Sequence, residues 1–161
     1  LQEVSTSMLV LPKLESLKYF NYFQEGSKAG DTMLEIVSEA IRKQMRSSDL
    51  TFKLPGNDFL WSLEKISKDR LQKLAKIIRD HVLTDPRTIK ILEKEKSAIK
   101  LKLQDPITKK NSRAVQKLTE RLSQLENFDL DLTFRMMSHA EAQKAKNFKE
   151  LTQQLEKKPA L

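Results

Sequence analysis

Leu50-Thr51-Phe52-Lys53-Leu54-Pro55-Gly56-Asn57-Asp58-Phe59-Leu60-Trp61 is the stretch on which the fold turns. Two apolar runs flank a Pro-Gly pair, a strong local signal for a turn. Phe52 and Leu54 alternate about Lys53, as in a short extended segment. Beyond the turn, Asn57 is placed to cap a short helix carrying Phe59, Leu60, Trp61 and Leu63. The stretch then reads as an apolar loop followed by a helix.

The chain on either side also reads as helical. Pro12, followed by Leu14, Leu17, Tyr19, Phe20 and Phe23, suggests a first helix with proline in its opening turn. Residues 25–30 form a turn, and Thr32 with Glu35 has the spacing of a capping box. That helix would bury Leu34, Val37, Ile41 and Met45. Ser67 can cap the helix whose Leu71, Leu74, Ile78 and Val82 recur at helical spacing. Asp85-Pro86 and Asp105-Pro106 mark two further starts, a capping carboxylate before a residue with no N–H to leave unpaired. Residues 127–131 break the pattern, and Phe134, Met137, Phe148, Leu151 and Leu155 fall on one long final helix. The expectation is an all-α antiparallel bundle of about five to seven helices.

Composition agrees with one helical domain spanning 1–161. The chain has 161 residues, with three glycines and five prolines, too few for a β-sandwich or a glycine-rich nucleotide fold. It has no cysteine, which excludes disulfides, thiolate metal sites and a cysteine nucleophile. No apolar run reaches the ~18 residues that span a bilayer. The chain opens at Leu1 rather than methionine, so it is expected to be the C-terminal part of a longer protein.

The formal charge is +8, and it is concentrated in the middle of the chain. Residues 42–121 hold 21 Lys and Arg against 10 Asp and Glu, while the two ends are acidic or neutral. Lys68, Lys76 and Arg79 share one quadrant of their helix, away from the leucine stripe. Lys96 projects onto the apolar stripe between Ile89 and Leu103, where a lysine stem packs while its head snorkels to water. Lys144 has the same position on the last helix. A basic face of this kind attracts phosphate groups. The apolar Leu50–Trp61 loop beside it has the character of a membrane-insertion tip.

No catalytic constellation emerges, so the chain reads as a non-enzyme without cofactor or metal. Gly26-Ser27-Lys28-Ala29-Gly30 lacks the spacing of a phosphate loop. His81 and His139 have no second histidine at a metal spacing, and Asp129 with Asp131 reads as an isolated turn.

With its lysine-rich central helices, its Leu50–Trp61 loop and its polar tail from Phe148 to Leu161, the chain resembles the phosphoinositide-binding C-terminal domains of type IV-secreted effectors of intracellular bacteria. The resemblance implies a module secreted into a host cell and held on an anionic host membrane. Lys76, Arg79, Arg87, Lys90, Lys96 and Arg113 would then bind the headgroup, and Phe52, Leu54, Phe59 and Trp61 would insert. The alternative is a helical adaptor for a partner protein, such as a host protein. Nucleic-acid binding is less favoured, because no helix-turn-helix signature or interleaved surface aromatics accompany the charge.

Overall fold

Residues 50–53 and 59–61 lie on two antiparallel strands paired with each other, not on a loop and a helix. A computed structural model of the chain describes residues 6–23, 26–54 and 59–161. In it β1 (Thr6–Leu14) leads through a 3₁₀ segment (Glu15–Tyr22) into α1 (Ser27–Gln44), followed by β2 (Leu50–Lys53) and β3 (Phe59–Ile66). Four helices come next: α2 (Lys68–Thr84), α3 (Pro86–Gln104), α4 (Pro106–Lys109) and α5 (Ser112–Glu126). The chain closes with β4 (Leu132–Ser138), α6 (His139–Ala142) and α7 (Phe148–Glu156). The four strands form one sheet in the order β2-β3-β1-β4, antiparallel at every pairing. The expected all-α bundle is therefore corrected to a mixed α/β fold. The Pro55-Gly56-Asn57 turn and the Asn57 cap lie outside the described residues.

The three missed strand regions share one cause. A strand buried on both faces loses the alternation that identifies it and reads as an apolar run. In β3, Phe59, Leu60 and Trp61 are buried in succession, and in β1 so are Val10 and Leu11. In β4, Phe134 and Met137 are buried on opposite faces, and their spacing of three imitates a helix. The register assigns the faces. Leu11, Leu60 and Met137 form one cluster with Leu54 and Leu155, against which Leu151 of α7 and Ala142 of α6 pack. The other face presents Val10, Trp61, Leu63 and Phe134, all buried. There the Trp61 and Phe134 rings lie 5.7 Å apart, tilted at 49°.

Proline is tolerated in β1 because of where it sits. The pairing of β1 with β3 ends at Val10, while that with β4 continues to Leu14, so Pro12 has one neighbouring strand. Nearer the start of β1 the register shifts between Thr6 and Met8. The extra residue falls in β3, where Lys65 takes the left-handed conformation at φ 51°.

The helix boundaries follow local chemistry. Asp85 Oδ1 accepts from the Arg87 N–H at 2.8 Å, and Asp105 Oδ1 accepts from the Ile107 N–H at 2.9 Å, so both Asp-Pro pairs start helices. Ser67 Oγ accepts from the Arg70 N–H at 3.2 Å ahead of α2. α1 starts earlier than the Thr32 capping box implied. Gly26 turns the chain with φ +59°, and the Thr32 hydroxyl donates back to the Lys28 carbonyl at 3.0 Å, inside the helix.

The chain divides into two compact units. One holds residues 1–15, 37–81 and 131–161, and so contains the whole sheet with α6 and α7. The other holds residues 16–36 and 82–130, namely the 3₁₀ segment, the first half of α1, and α3 to α5. In this second unit Phe20 meets Phe23 and Phe128 at 4.7 and 5.2 Å between ring centroids. No helix among the described residues is long and apolar enough to cross a membrane.

Candidate functional site

The β2–β3 hairpin is anchored from both sides. Leu54 and Leu60 enter the cluster beneath α7, and Phe59 is buried where β3 begins. At the other end Asp49, almost wholly buried, accepts from the Arg46 N–H at 2.9 Å, from Arg46 Nε at 3.2 Å and from the Glu64 N–H at 3.3 Å. Arg46 also donates through its guanidinium to the Glu64 carbonyl. One carboxylate thus fastens the α1–β2 turn to β3.

Burial pushes the Asp49 carboxyl up, but the hydrogen bonds from Arg46 and Glu64 and the Arg46 charge outweigh it and hold the group below its ordinary value. A carboxylate depressed on folding adds stability above its unfolded pKa of about 3.9, and loses that stability as pH falls through the folded value. Asp49→Asn is therefore expected to be destabilised at pH 7 by about 2 kcal/mol, since three donors lose a charged partner. Urea titrations across pH 7 to 2 check this, and the gap to wild type should shrink below about pH 4.

On the α7 side of the sheet, Ser62 Oγ of β3 lies 3.2 Å from His139 Nε2 at the start of α6. In the second unit, a cavity of about 400 Å³ is lined by Ser16, Tyr19, Gln124, Asn127, Phe128 and Asp129.

The candidate insertion residues do not form a free tip. Trp61 is fully buried, Phe59 and Leu54 are core, and only Phe52 is exposed, at 46%. The insertion reading of Leu54, Phe59 and Trp61 is corrected on that ground, because these groups hold the sheet together. The six candidate headgroup cations come from three helices. Lys76 and Arg79 lie on α2 in the first unit; Lys90 and Lys96 on α3, Arg87 at its start and Arg113 on α5 belong to the second. Arg87 is engaged by Asp85 at 3.0 Å and Lys96 by Glu93 at 3.2 Å.

Sequence reasoning passed over a buried ion pair between α3 and α5. Glu95 is buried and receives Arg121 Nη2 at 2.8 Å, and the same guanidinium donates to the Tyr22 carbonyl at 2.7 Å. Arg121 also lies over the Phe23 ring, 5.8 Å from its centroid. The signal was present as a second charged residue on the inner side of α3, next to the Lys96 that drew attention instead.

A family model described as diguanylate cyclase, GGDEF domain, matches residues 2–127. Among solved structures, the chain is similar to an EAL/GGDEF domain protein from M. capsulatus, at 26% identity over 48% of this chain and 50% of that one, with a TM-score of 0.38. It is also similar to a sensory box/GGDEF family protein from Caulobacter crescentus CB15, at 18% identity over 48% of this chain and 50% of that one, with a TM-score of 0.40. The chain thus covers about half the length of each. No protein of curated function matches it.

The family match overturns the effector resemblance, and with it the secreted lipid-binding module, its phosphoinositide and its host-protein partner. It also overturns the expectation of a non-enzyme, since the matching family is one of cyclases. The physical reason is that charge and apolar loops were read without the sheet that organises them. Matched from residue 2 to residue 127, well over half of its length, the chain belongs to the GGDEF diguanylate cyclase domain family.

Proposed function

We propose that this domain acts on guanosine triphosphate in diguanylate cyclase fashion, with the β2–β3 hairpin at its site. The observation that carries the reading is the family match across residues 2–127, which takes in β1, β2 and β3. The reaction joins two guanylyl units in a ring. Each 3′-hydroxyl bonds to the α-phosphorus of the other nucleotide, the bond to pyrophosphate breaks, and the hydroxyl proton is released.

The family name spells Gly-Gly-Asp-Glu-Phe, and the chain contains no such run. Residues 55–59, which follow β2 in the sequence and end on the first residue of β3, read Pro-Gly-Asn-Asp-Phe. They keep glycine in second place, an acid in fourth and phenylalanine in fifth. Pro55 has no N–H to offer a phosphate, and Asn57 places a neutral amide where the name has a carboxylate. These departures lower the rate by removing charge and donors from the reacting groups.

Restoring the named run with Pro55→Gly, Asn57→Asp and Asp58→Glu is expected to raise cyclic dinucleotide formation from GTP at least tenfold, about 1.4 kcal/mol of barrier. Chromatography of timed incubations measures it. A chain that forms no cyclic product before or after the restoration contradicts the reading.

A further inference from the structure

We propose that the α3–α5 end remote from the Glu95–Arg121 ion pair is a docking surface for an acidic protein segment bearing aliphatic side chains. The surface is additional to the cyclase-type site and involves only residues of the second unit.

Charge within that unit is distributed unequally along the helices. Near Glu95 three cations are paired, Arg87 with Asp85, Lys96 with Glu93, and Arg121 with Glu95, and only Lys90 at the start of α3 has no ion pair among the described residues. Towards the α3–α4–α5 junction the cations are not paired. Lys100, Lys102, Lys109, Lys110, Arg113 and Lys117 are all exposed, and among the described residues none has an ion-pair partner. Between residues 97 and 119 the single acid is Asp105, and its carboxylate caps α4 through the Ile107 N–H. Six like charges on one short stretch repel one another and add nothing to folding.

The same junction exposes apolar surface. Leu101 is 71% exposed and lies between Lys100 and Lys102, and Ile107 is 81% exposed two residues before Lys109. An isolated exposed leucine is ordinary, but two aliphatic side chains set within unpaired cations match a partner offering the opposite charge and its own apolar groups. Residues 85–127 contain no Phe, Tyr or Trp, so the surface has no platform for stacking nucleic-acid bases. The charge complementarity and the aliphatic pair together favour a protein segment.

The test is fluorescence anisotropy on the full chain with a labelled amphipathic peptide, leucine along one helical face and glutamate elsewhere. The expected result is binding that falls at least tenfold in Lys109→Glu/Arg113→Glu and at least fivefold in Leu101→Ser/Ile107→Ser. It should also fall when the peptide leucines become serine. Both variants change exposed residues and should unfold at the wild-type urea midpoint; the Lys76→Glu variant on α2 should bind the peptide as wild type does. Equal weakening by Lys76→Glu, or indifference to Leu101→Ser/Ile107→Ser, overturns the proposal in favour of a diffuse basic surface. Tighter binding to duplex DNA or to phosphatidylserine vesicles than to the peptide overturns it in favour of those partners. GTP conversion by these variants should match wild type, so the outcome is independent of the cyclase reading.

Discussion

Replacing Arg121 by methionine is expected to lower the unfolding free energy by about 3 kcal/mol, measured by urea titration at pH 7. Its guanidinium neutralises the buried Glu95 carboxylate at 2.8 Å and satisfies the Tyr22 carbonyl at 2.7 Å. Methionine keeps much of the stem's packing and removes both contacts, so the buried Glu95 carboxylate loses its 2.8 Å guanidinium. The figure is at the lower end of the range for broken buried pairs, because the Arg121 side chain retains 30% exposure. The double variant Arg121→Met/Glu95→Leu should recover most of the loss, since the buried carboxylate is removed together with its guanidinium. A double variant no better than Arg121→Met would show that the arginine acts through packing on Phe23 alone.

The second large effect is at Trp61. Trp61→Ala should cost about 3–5 kcal/mol, a substantial share of the 5–15 kcal/mol that holds a domain of ordinary stability. The indole is fully buried against Phe134, and its Nε1–H has no hydrogen-bond partner among the described residues. Trp61→Phe should therefore cost much less, about 1 kcal/mol, because lost contact area is offset by removal of an unsatisfied donor. Thermal or urea unfolding checks both. Trp61 is the sole tryptophan, so its emission reports directly on the site and should be blue-shifted and protected from acrylamide. A red, freely quenched emission would return Trp61 to an exposed loop.

These residues also mark how much was legible beforehand. The Asp-Pro helix starts were readable because capping is local: Asp85 and Asp105 meet N–H groups two residues away. The helical periods of α2 and α5 were readable because one face of each is solvated. The strands were not, because Leu9 to Leu11, Phe59 to Trp61, and Phe134 with Met137 face core on both sides, and burial erases the period of two. Pro12 added to the error, since proline in an opening helical turn and proline beside one strand neighbour look alike in sequence. Pro55-Gly56-Asn57 reads as a turn, and its apolar flanks suggest insertion. The sheet reassigns those flanks to structure, with Leu54 and Phe59 in the core. The Glu95–Arg121 pair joins residues 26 positions apart, a separation that no local pattern encodes.

Calorimetric titration of the full chain with GTP, and in parallel with ATP, tests the central claim most directly. The account predicts that GTP binds with a Kd of about 100 μM or tighter, that is −5.5 kcal/mol or stronger, and at least tenfold more tightly than ATP. The restored hairpin Pro55→Gly/Asn57→Asp/Asp58→Glu should bind GTP more tightly still. Equal affinity for the two nucleotides, or no heat from either, would contradict a guanine-nucleotide function for this chain.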